Sequence, residues 1–376
     1  MNRIHHLMGL VAVLAMTVTS TPAGATGFDE IVFFGDSLTD TGNVWYATGG
    51  FPPSPYFQGT SGLSPDFTGG QWSSPEGPSW PTPFASEFGL TATPSVVGGN
   101  NYAWGGARTG TNPDSDGTPW LDQQVGEYLE ARPPTPGTLI SIFIGGNDVA
   151  NNLGDPEALE AGITSITTQI TNLYDQGARQ FLVPNVPDIG ATPEFQMRGL
   201  GIAAFATLWT IQWNTALATA LGELSMLLPE AVISSLDVFA LGKDPEVLSQ
   251  FANTTDACLT LSSICGNPAS YFYWDSFHPS STTHALIAEA QYQITVPGRL
   301  QELLADVTGV GPGKSLEKKV ASAHDSFAAF RIQATCGKLT GFMNQVMAQA
   351  GKKLTDAQAT EFLSDAQAIT EAIGCD

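Results

Sequence analysis

The chain is poor in positive charge. Its 376 residues include 14 Lys and Arg against 36 Asp and Glu, which gives a formal net charge of −22 at pH 7. A protein this acidic repels phosphate backbones and anionic bilayers, so nucleic acid is excluded as an expected partner. Because 42% of the residues are hydrophobic and 13% are charged, the chain can still bury a sizeable core.

Cysteine is also scarce. The spacing of Cys258, Cys265, Cys336 and Cys375 fits no zinc-binding pattern, and no histidine cluster accompanies them. In an exported protein an even number of cysteines suggests disulfides, and four allow three pairings. We favour Cys258–Cys265 with Cys336–Cys375, because each bond then closes its own region.

Long apolar runs are lacking as well. The run 7–18 is uncharged but spans only 12 residues, and it lies between Arg3 and the small-residue segment 23–25. This layout predicts a signal peptide over 1–25, and hence a secreted, extracellular or periplasmic protein. Residues 199–222 carry no charge, yet the polar residues spread through them favour a buried helix over a transmembrane one.

The negative charge is spread unevenly along the chain. Residues 26–305 hold 6 Lys and Arg against 28 Asp and Glu, whereas 306–376 hold 7 against 8. This change predicts a boundary between a large domain, 26–305, and a small helical C-terminal region, 306–376. In the latter, Thr355 and Gln358 fit a capping box that starts a helix. The sequence leaves open whether this region docks on the body or binds something outside the cell.

Within the large domain, short apolar runs alternate with longer helical patterns. The runs 31–34, 139–144, 180–183 and 232–236 are typical of buried strands, and 156–175, 200–227 and 280–296 of helices. This alternation predicts an α/β fold with a parallel sheet and helices on both faces, whose chemistry gathers at the carboxyl ends of the strands.

A long loop, 45–80, separates the first strand from the helices that follow. It is rich in Gly, Pro and Ser, and its aromatic residues either line an apolar pocket or pack the loop onto the body. These residues are Trp45, Tyr46, Phe51, Tyr56, Phe57, Phe67, Trp72 and Trp80.

A candidate nucleophile follows the first strand. Ser37 lies in the sequence Gly-Asp-Ser-Leu, where a strand-to-helix turn exposes the hydroxyl at the sheet edge. Gly-x-Ser-x-Gly, the commoner esterase motif, does not occur in the chain. The glycine-rich segment 101–107 allows a backbone N–H to approach a ligand, and Asn147 after the next strand offers a side-chain donor.

The remaining motif is Trp-Asp-Ser-Phe-His-Pro at 274–279. Serine becomes a useful nucleophile when an imidazole removes its proton and a carboxylate orients that imidazole. Asp275 and His278 are three residues apart and can meet across one turn. With Ser37 they predict a catalytic triad.

These motifs resemble the GDSL family of lipases and esterases, the SGNH hydrolases, in its branch of plant GDSL lipases and bacterial lecithinase/hemolysin-like lipases. The family's four blocks fall in order at Ser37, Gly106, Asn147 and His278, and the similarity covers about 29–297. The resemblance implies a flavodoxin-like three-layer α/β/α fold, no metal or cofactor, and acyl transfer through a serine ester. It also implies an oxyanion hole of the Ser37 and Gly106 N–H groups and the Asn147 side chain.

Three other interpretations remain at this point. A carbohydrate O-acetylesterase differs from a lipid esterase in needing a small pocket beside polar, sugar-binding groups. A non-enzymatic surface-binding protein would use the C-terminal region, but the complete set of motifs speaks against an inert body. Residues 112–117 resemble the start of a calcium loop, although position twelve would be Gln123, which favours a surface turn.

Overall fold

The computed structural model describes residues 28–59, 69–112, 117–228, 231–329, 331–373 and 375. The predicted signal peptide, Phe67 and residues 113–116 of the calcium-loop candidate lie outside these ranges. The strands are β1 (Glu30–Gly35), β2 (Thr138–Phe143), β3 (Gln180–Leu182), β4 (Val232–Ser234), β5 (Asn253–Ala257) and β6 (Tyr271–Tyr273). The helices are α1 (Asn43–Thr48), α2 (Pro81–Glu87), α3 (Leu121–Ala131), α4 (Gly146–Asn151), α5 (Pro156–Asp175), α6 (Pro193–Met197), α7 (Leu200–Leu227), α8 (Val238–Leu241), α9 (Pro245–Leu248), α10 (Ser281–Ile294), α11 (Val296–Val307), α12 (Ser315–Ala328), α13 (Ile332–Gln349) and α14 (Asp356–Ala372).

The central sheet is parallel, in the order β1-β2-β3-β4, and its strands are the four predicted from the sequence. The glycine-rich segment extends this sheet along the free edge of β1. The Phe33 N–H donates to the Asn100 carbonyl at 3.1 Å, and the Tyr102 N–H donates to the Phe33 carbonyl at 2.8 Å. The glycine-rich segment is therefore held beside the end of β1, next to Ser37.

Helices cover both faces of the sheet. Because side chains alternate along a strand, Val32 and Phe34 face one layer, with α3, α5 and α7, whereas Ile31 and Phe33 face the other, with α2 and α10. The predicted three-layer α/β/α fold is confirmed. The predicted helices are confirmed as α5, α7 and α10.

Helix α7 differs from the buried helix that the sequence favoured over 199–222. Ala206, Trp213 and Leu217 are buried, but the opposite side of its first half exposes large apolar residues such as Leu200 and Leu208. The prediction was wrong because an uncharged composition does not show whether a second layer covers the outer face. Across the described ranges, no helix is both long and apolar enough to span a bilayer.

The C-terminal helices dock on the body. Helices α11 to α14 share an apolar core that includes Val232 of β4, so they pack beside that edge of the sheet. Disulfides join Cys258 to Cys265 and Cys336 to Cys375, as favoured from the sequence. The capping box at the start of α14 is also confirmed, since the Gln358 N–H donates to the Thr355 hydroxyl at 3.2 Å. The domain boundary after residue 305 falls within α11 and stays a prediction.

Candidate active site

Ser37 lies two residues beyond the end of β1, in a tight turn. The N–H groups of Thr39 and Asp40 both donate to the Asp36 carbonyl, at 3.0 and 2.9 Å. Gln124 of α3 anchors the end of the strand, because its amide group accepts from the Gly35 N–H at 3.0 Å and donates to the Gly35 carbonyl at 2.9 Å. The sheet and α3 together fix the position of the serine.

The serine hydroxyl is the first of three groups connected in series. Ser37 Oγ lies 2.8 Å from His278 Nε2, and His278 Nδ1 lies 2.8 Å from Asp275 Oδ2. An ionised carboxylate only accepts hydrogen bonds, so Nδ1 carries the proton and Nε2 is free to accept from the hydroxyl. The structure brings together all three residues predicted for the triad.

Asp275 is held as a carboxylate. Burial acts to raise its pKa, but the adjacent imidazole and hydrogen bonds outweigh that effect and lower the pKa to about 2. Its Oδ1 accepts from the N–H groups of Phe277 and His278, at 2.7 and 2.6 Å. These bonds fold residues 275–278 into one turn, which is why the short spacing between Asp275 and His278 suffices.

Tyr56 adds a fourth group. Its hydroxyl donates to Asp275 Oδ2 at 2.7 Å, so this oxygen accepts from both the tyrosine and the imidazole. Burial raises the pKa of Tyr56, and the adjacent carboxylate raises it further. The sequence pointed to Tyr56 only as one aromatic residue of a loop. Its partner is 219 residues away, and no local pattern shows that contact.

His284 is excluded as the base. It is fully buried, and burial lowers its pKa to about 3, so it is a weak proton acceptor near pH 7. Its Nδ1 accepts from the Trp80 N–H at 3.3 Å, and its Nε2 lies 3.2 Å from the Trp72 carbonyl. His284 thus holds the loop that places Trp72, whose ring centroid lies 6.1 Å from that of His278.

Two backbone donors near Ser37 are open. Within the described residues, neither the Ser37 N–H nor the Gly106 N–H has a hydrogen-bond acceptor. The Gly105 N–H, by contrast, donates to Asp40 Oδ2 at 3.0 Å. Gly106 adopts φ +84°, a left-handed conformation that favours glycine. This distinguishes Gly106 from its neighbour as the available donor.

Asn147 lies in the first turn of α4, after β2. The chain turns there through Gly145, whose φ of +116° is strained for any other residue. The Asn147 side chain donates one N–H to the Ala107 carbonyl at 2.9 Å, which ties α4 to the glycine-rich segment. An amide group carries two N–H bonds, so a second remains to face the cleft that Asn147 lines together with Ser37.

Asp40 organises the segment after the nucleophile, although the sequence interpretation gave it no role. Its carboxylate accepts from the N–H groups of Gly42 and Asn43, at 2.7 and 2.6 Å, as well as from that of Gly105. Burial raises its pKa to about 6 despite these bonds. The available signal was its position two residues after the Gly-Asp-Ser-Leu motif that contains Ser37.

An apolar cleft opens beside Ser37. It encloses about 860 Å³, including space open to solvent. Ile189, Leu241, Phe272 and Ile287 lie on its walls, contributed by the segment before α6, by α8, by β6 and by α10. Asp36 also lines the cleft, and burial raises its pKa to about 7.

The aromatic residues of loop 45–80 do not form this cleft. Those within the described ranges are absent from its walls. Trp80 and Phe57 are buried instead, and Trp72 and Tyr56 support the turn that carries His278. Packing of the loop onto the body is thus the interpretation that fits.

A serine, an imidazole and a carboxylate in series at the carboxyl edge of a parallel sheet are the arrangement of a serine hydrolase. A model of the GDSL-like lipase/acylhydrolase family matches residues 31–290. The chain belongs to this family, as its motifs indicated. Its class, carboxylic ester hydrolase, is confirmed by the same matches.

The curated relatives carry names of different activities on ester substrates. The chain is 30% identical to a phosphatidylcholine-sterol acyltransferase of Aeromonas hydrophila, over 50% of this chain and 52% of that protein. It is 22% identical to a GDSL esterase/lipase of Arabidopsis thaliana, over 75% and 93%, respectively. It is 31% identical to an acetylesterase of Thermothelomyces thermophilus, over 43% and 55%. The chain thus spans only about half the length of the acyltransferase and of the acetylesterase.

Proposed function

We propose that the protein is a secreted serine ester hydrolase that forms an acyl-enzyme on Ser37. The observation that carries this proposal is the unbroken series of hydrogen bonds from Ser37 through His278 to Asp275, with 2.8 Å at each step. A serine hydroxyl is a poor nucleophile by itself, and an imidazole at this distance can accept its proton as the hydroxyl attacks.

The reaction has two halves. Ser37 Oγ attacks the ester carbonyl carbon while His278 Nε2 takes the hydroxyl proton. The tetrahedral intermediate then collapses, the carbon–oxygen bond to the alcohol breaks, and His278 returns the proton to the departing alkoxide. In the second half His278 takes a proton from a water molecule, which attacks the acyl carbon. The bond from that carbon to Ser37 Oγ then breaks, His278 returns the proton to Ser37 Oγ, and the carboxylic acid is released.

The negative oxygen formed in each half faces three donors. The Ser37 and Gly106 N–H groups lack protein acceptors in the described residues, and Asn147 has an N–H beyond the one given to Ala107. These donors are held by the sheet edge and α4, so they need little reorganisation during the reaction. One such donor is worth about 3 kcal/mol in the transition state.

The cleft supports a substrate with a long acyl chain. An acetyl group would contact little of this cleft, whose walls are formed by Leu241, Phe272, Ile287 and other apolar side chains. Burying each methylene contributes about 0.8 kcal/mol. A lipid ester therefore fits better than an acetylated sugar, and the name of the Aeromonas relative, a phosphatidylcholine-sterol acyltransferase, is in keeping with a phospholipid substrate.

Hydrolysis of p-nitrophenyl esters from acetate to palmitate, beside a phospholipid and an acetylated polysaccharide, tests this proposal. We expect kcat/KM to rise from acetate to esters of medium chain length, because each added methylene leaves water for the cleft. Hydrolysis of acetate and acetylated polysaccharide, with none of longer esters, would instead identify an acetylesterase.

Gly242→Leu is expected to lower the ratio of kcat/KM for decanoate to that for acetate by about tenfold. Gly242 has φ −68°, which any residue can adopt, and a Cβ added there would lie 3.8 Å from Phe272 Cζ on the cleft wall. A larger side chain would therefore shorten the cleft. Gly222→Leu, at an exposed position of α7 with open space around it, is the matched control. Equal ratios in the two variants would refute this role of the cleft.

Tyr56→Phe is expected to lower kcat about tenfold with little change in KM, because a hydrogen bond to a carboxylate contributes roughly 1.5–3 kcal/mol. Tyr56 acts through Asp275 rather than on the substrate, so it is a positioning residue. Stopped-flow or steady-state assays with a soluble ester measure the split between kcat and KM. Tyr46→Phe, in α1, is the control, and an unchanged kcat in Tyr56→Phe would remove the role assigned to the hydroxyl.

Export is proposed from the first 25 residues and from the disulfides. The pattern of residues 1–25 is that of a cleaved signal peptide. The bonds Cys258–Cys265 and Cys336–Cys375 are typical of proteins that mature in an oxidising compartment. Mass spectrometry of the protein recovered outside the cytoplasm tests the cleavage site after Ala25.

A further inference from the structure

An exposed apolar surface lies on α6 and the first half of α7. We call it the apolar face. Its side chains are large, and Met197, Leu200 and Leu208 are 73%, 79% and 57% exposed. Its members are Met197, Leu200, Ile202, Phe205, Leu208 and Ile211. Contiguous exposed apolar residues of this size commonly mark a surface that binds something.

The second half of the same helix is different. Where the apolar face ends, the outward positions become small or polar, with Thr215, Thr219 and Glu223 exposed. Only at its end do Met226 and Leu227 break this pattern. The inner side of α7 is apolar along both halves. Packing against the body therefore does not explain why the outer side is apolar in the first half only.

The apolar face follows a wall of the cleft beside Ser37 along the chain. The segment that leads into α6 contributes Ile189, Ala191 and Thr192 to the cleft wall. Helix α6 itself is tied to the triad turn, because the Glu194 N–H donates to the Ser276 carbonyl at 2.8 Å. The chain therefore runs from the cleft wall through α6 into the apolar face within about two helical turns.

The charge of the protein distinguishes among the possible partners of the apolar face. No charged residue lies between 199 and 222, and Arg198, next to the face, is paired with Glu194 at 2.9 Å. With a net charge of −22, the protein is repelled by anionic bilayers, and a second copy of the chain would carry the same repulsion. An uncharged lipid surface imposes no such penalty and can bury the apolar side chains.

We propose that the apolar face docks on the surface of zwitterionic or neutral lipid, which places the cleft at the lipid from which an acyl chain is drawn. This inference rests on the proposed function, since it assumes an acyl ester of a lipid as the substrate. It assigns interfacial binding to the face and leaves the chemistry to Ser37.

Co-sedimentation with phosphatidylcholine vesicles in the Ser37→Ala background tests docking without turnover. Leu200→Gln, Ile202→Gln and Leu208→Gln together are expected to lower the partition coefficient by about tenfold or more. Met226→Gln with Leu227→Gln, the same chemistry at the far end of α7, is the matched control and should leave partitioning unchanged. If the triple variant unfolds in a thermal melt, Leu200→Gln alone should show a smaller loss in the same direction.

Equal partitioning of the triple variant and its control would overturn the proposal. So would tighter binding to phosphatidylglycerol than to phosphatidylcholine vesicles at low salt, since charge would then drive the contact. A dimer in analytical ultracentrifugation that the triple variant converts to a monomer, with vesicle binding intact, would assign the face to a second copy. None of these results depends on ester turnover, so they are distinct from a failure of the proposed reaction, which the p-nitrophenyl ester assays report.

Discussion

Replacing Ser37 with alanine is expected to reduce kcat for p-nitrophenyl esters by about 10⁵-fold, to the level left by the donors and the cleft alone. The Ser37 oxygen is the atom that would form the acyl-enzyme. Its removal takes one oxygen from a side chain that is 6% exposed. We therefore expect the variant to fold and melt like the parent protein. Turnover of a soluble ester, with circular dichroism as a check of the fold, measures both properties.

Ser276→Ala is the matched control. This serine lies beside His278 in sequence, but its hydroxyl donates to Glu194 at 3.2 Å rather than to the imidazole. We expect its kcat to stay within about threefold of the parent, since only one partly buried hydrogen bond away from the reacting groups is lost. Full turnover in Ser37→Ala, or an equal loss in both variants, would contradict the assignment of the nucleophile.

Replacing Asp275 with asparagine is expected to reduce kcat by about 10³- to 10⁴-fold. The reason lies in the hydrogen bonds of the turn. The carboxylate Oδ1 accepts from the Phe277 and His278 N–H groups, so the carbonyl oxygen of asparagine would take that place. Its NH₂ group would then face His278 Nδ1 and require it to accept, which moves the ring proton to Nε2 and prevents Nε2 from accepting the Ser37 proton.

Burst kinetics with a p-nitrophenyl ester would show this loss in the acylation step. Asp175→Asn, at an exposed position at the end of α5, serves as the control and should behave like the parent. Retention of more than a tenth of the parent kcat in Asp275→Asn would show that this carboxylate does not set the tautomer.

The ionised state of Asp275 also contributes to the stability of the fold. Because the pKa of Asp275 is lowered to about 2, that contribution is present above pH 4 and is lost as the pH falls toward 2.

Much of the site could be predicted from the sequence because its members lie in short motifs next to strand ends. Ser37 follows β1, Asn147 follows β2, and Asp275 and His278 share one turn. In a parallel sheet the carboxyl ends of the strands meet at one edge, so motifs at those ends converge whatever the loops between them do. The apolar runs that form β1 to β4 carry their own signal, so all four strands of the central sheet were predicted.

The supporting contacts could not be predicted, because they join residues that no local pattern connects. Tyr56 donates to Asp275, 219 residues away in the chain, and Asp40 accepts from the Gly105 N–H, 65 residues away. The cleft has the same origin, since its walls come from several elements that are separate in the chain. The outer face of α7 misled the sequence interpretation for a related reason: hydrophobicity shows that a side chain favours burial, but not whether the fold provides a neighbour to bury it.

The sequence by itself determined the layered α/β architecture, the family and the residues proposed as reacting groups, because periodicity and short motifs are properties of contiguous residues. Only the tertiary structure decided which groups hold the imidazole and its carboxylate, which glycine N–H is open, how the C-terminal helices dock, and where apolar surface stays exposed. These features depend on distances between segments remote in the chain, and such distances are set when the layers pack.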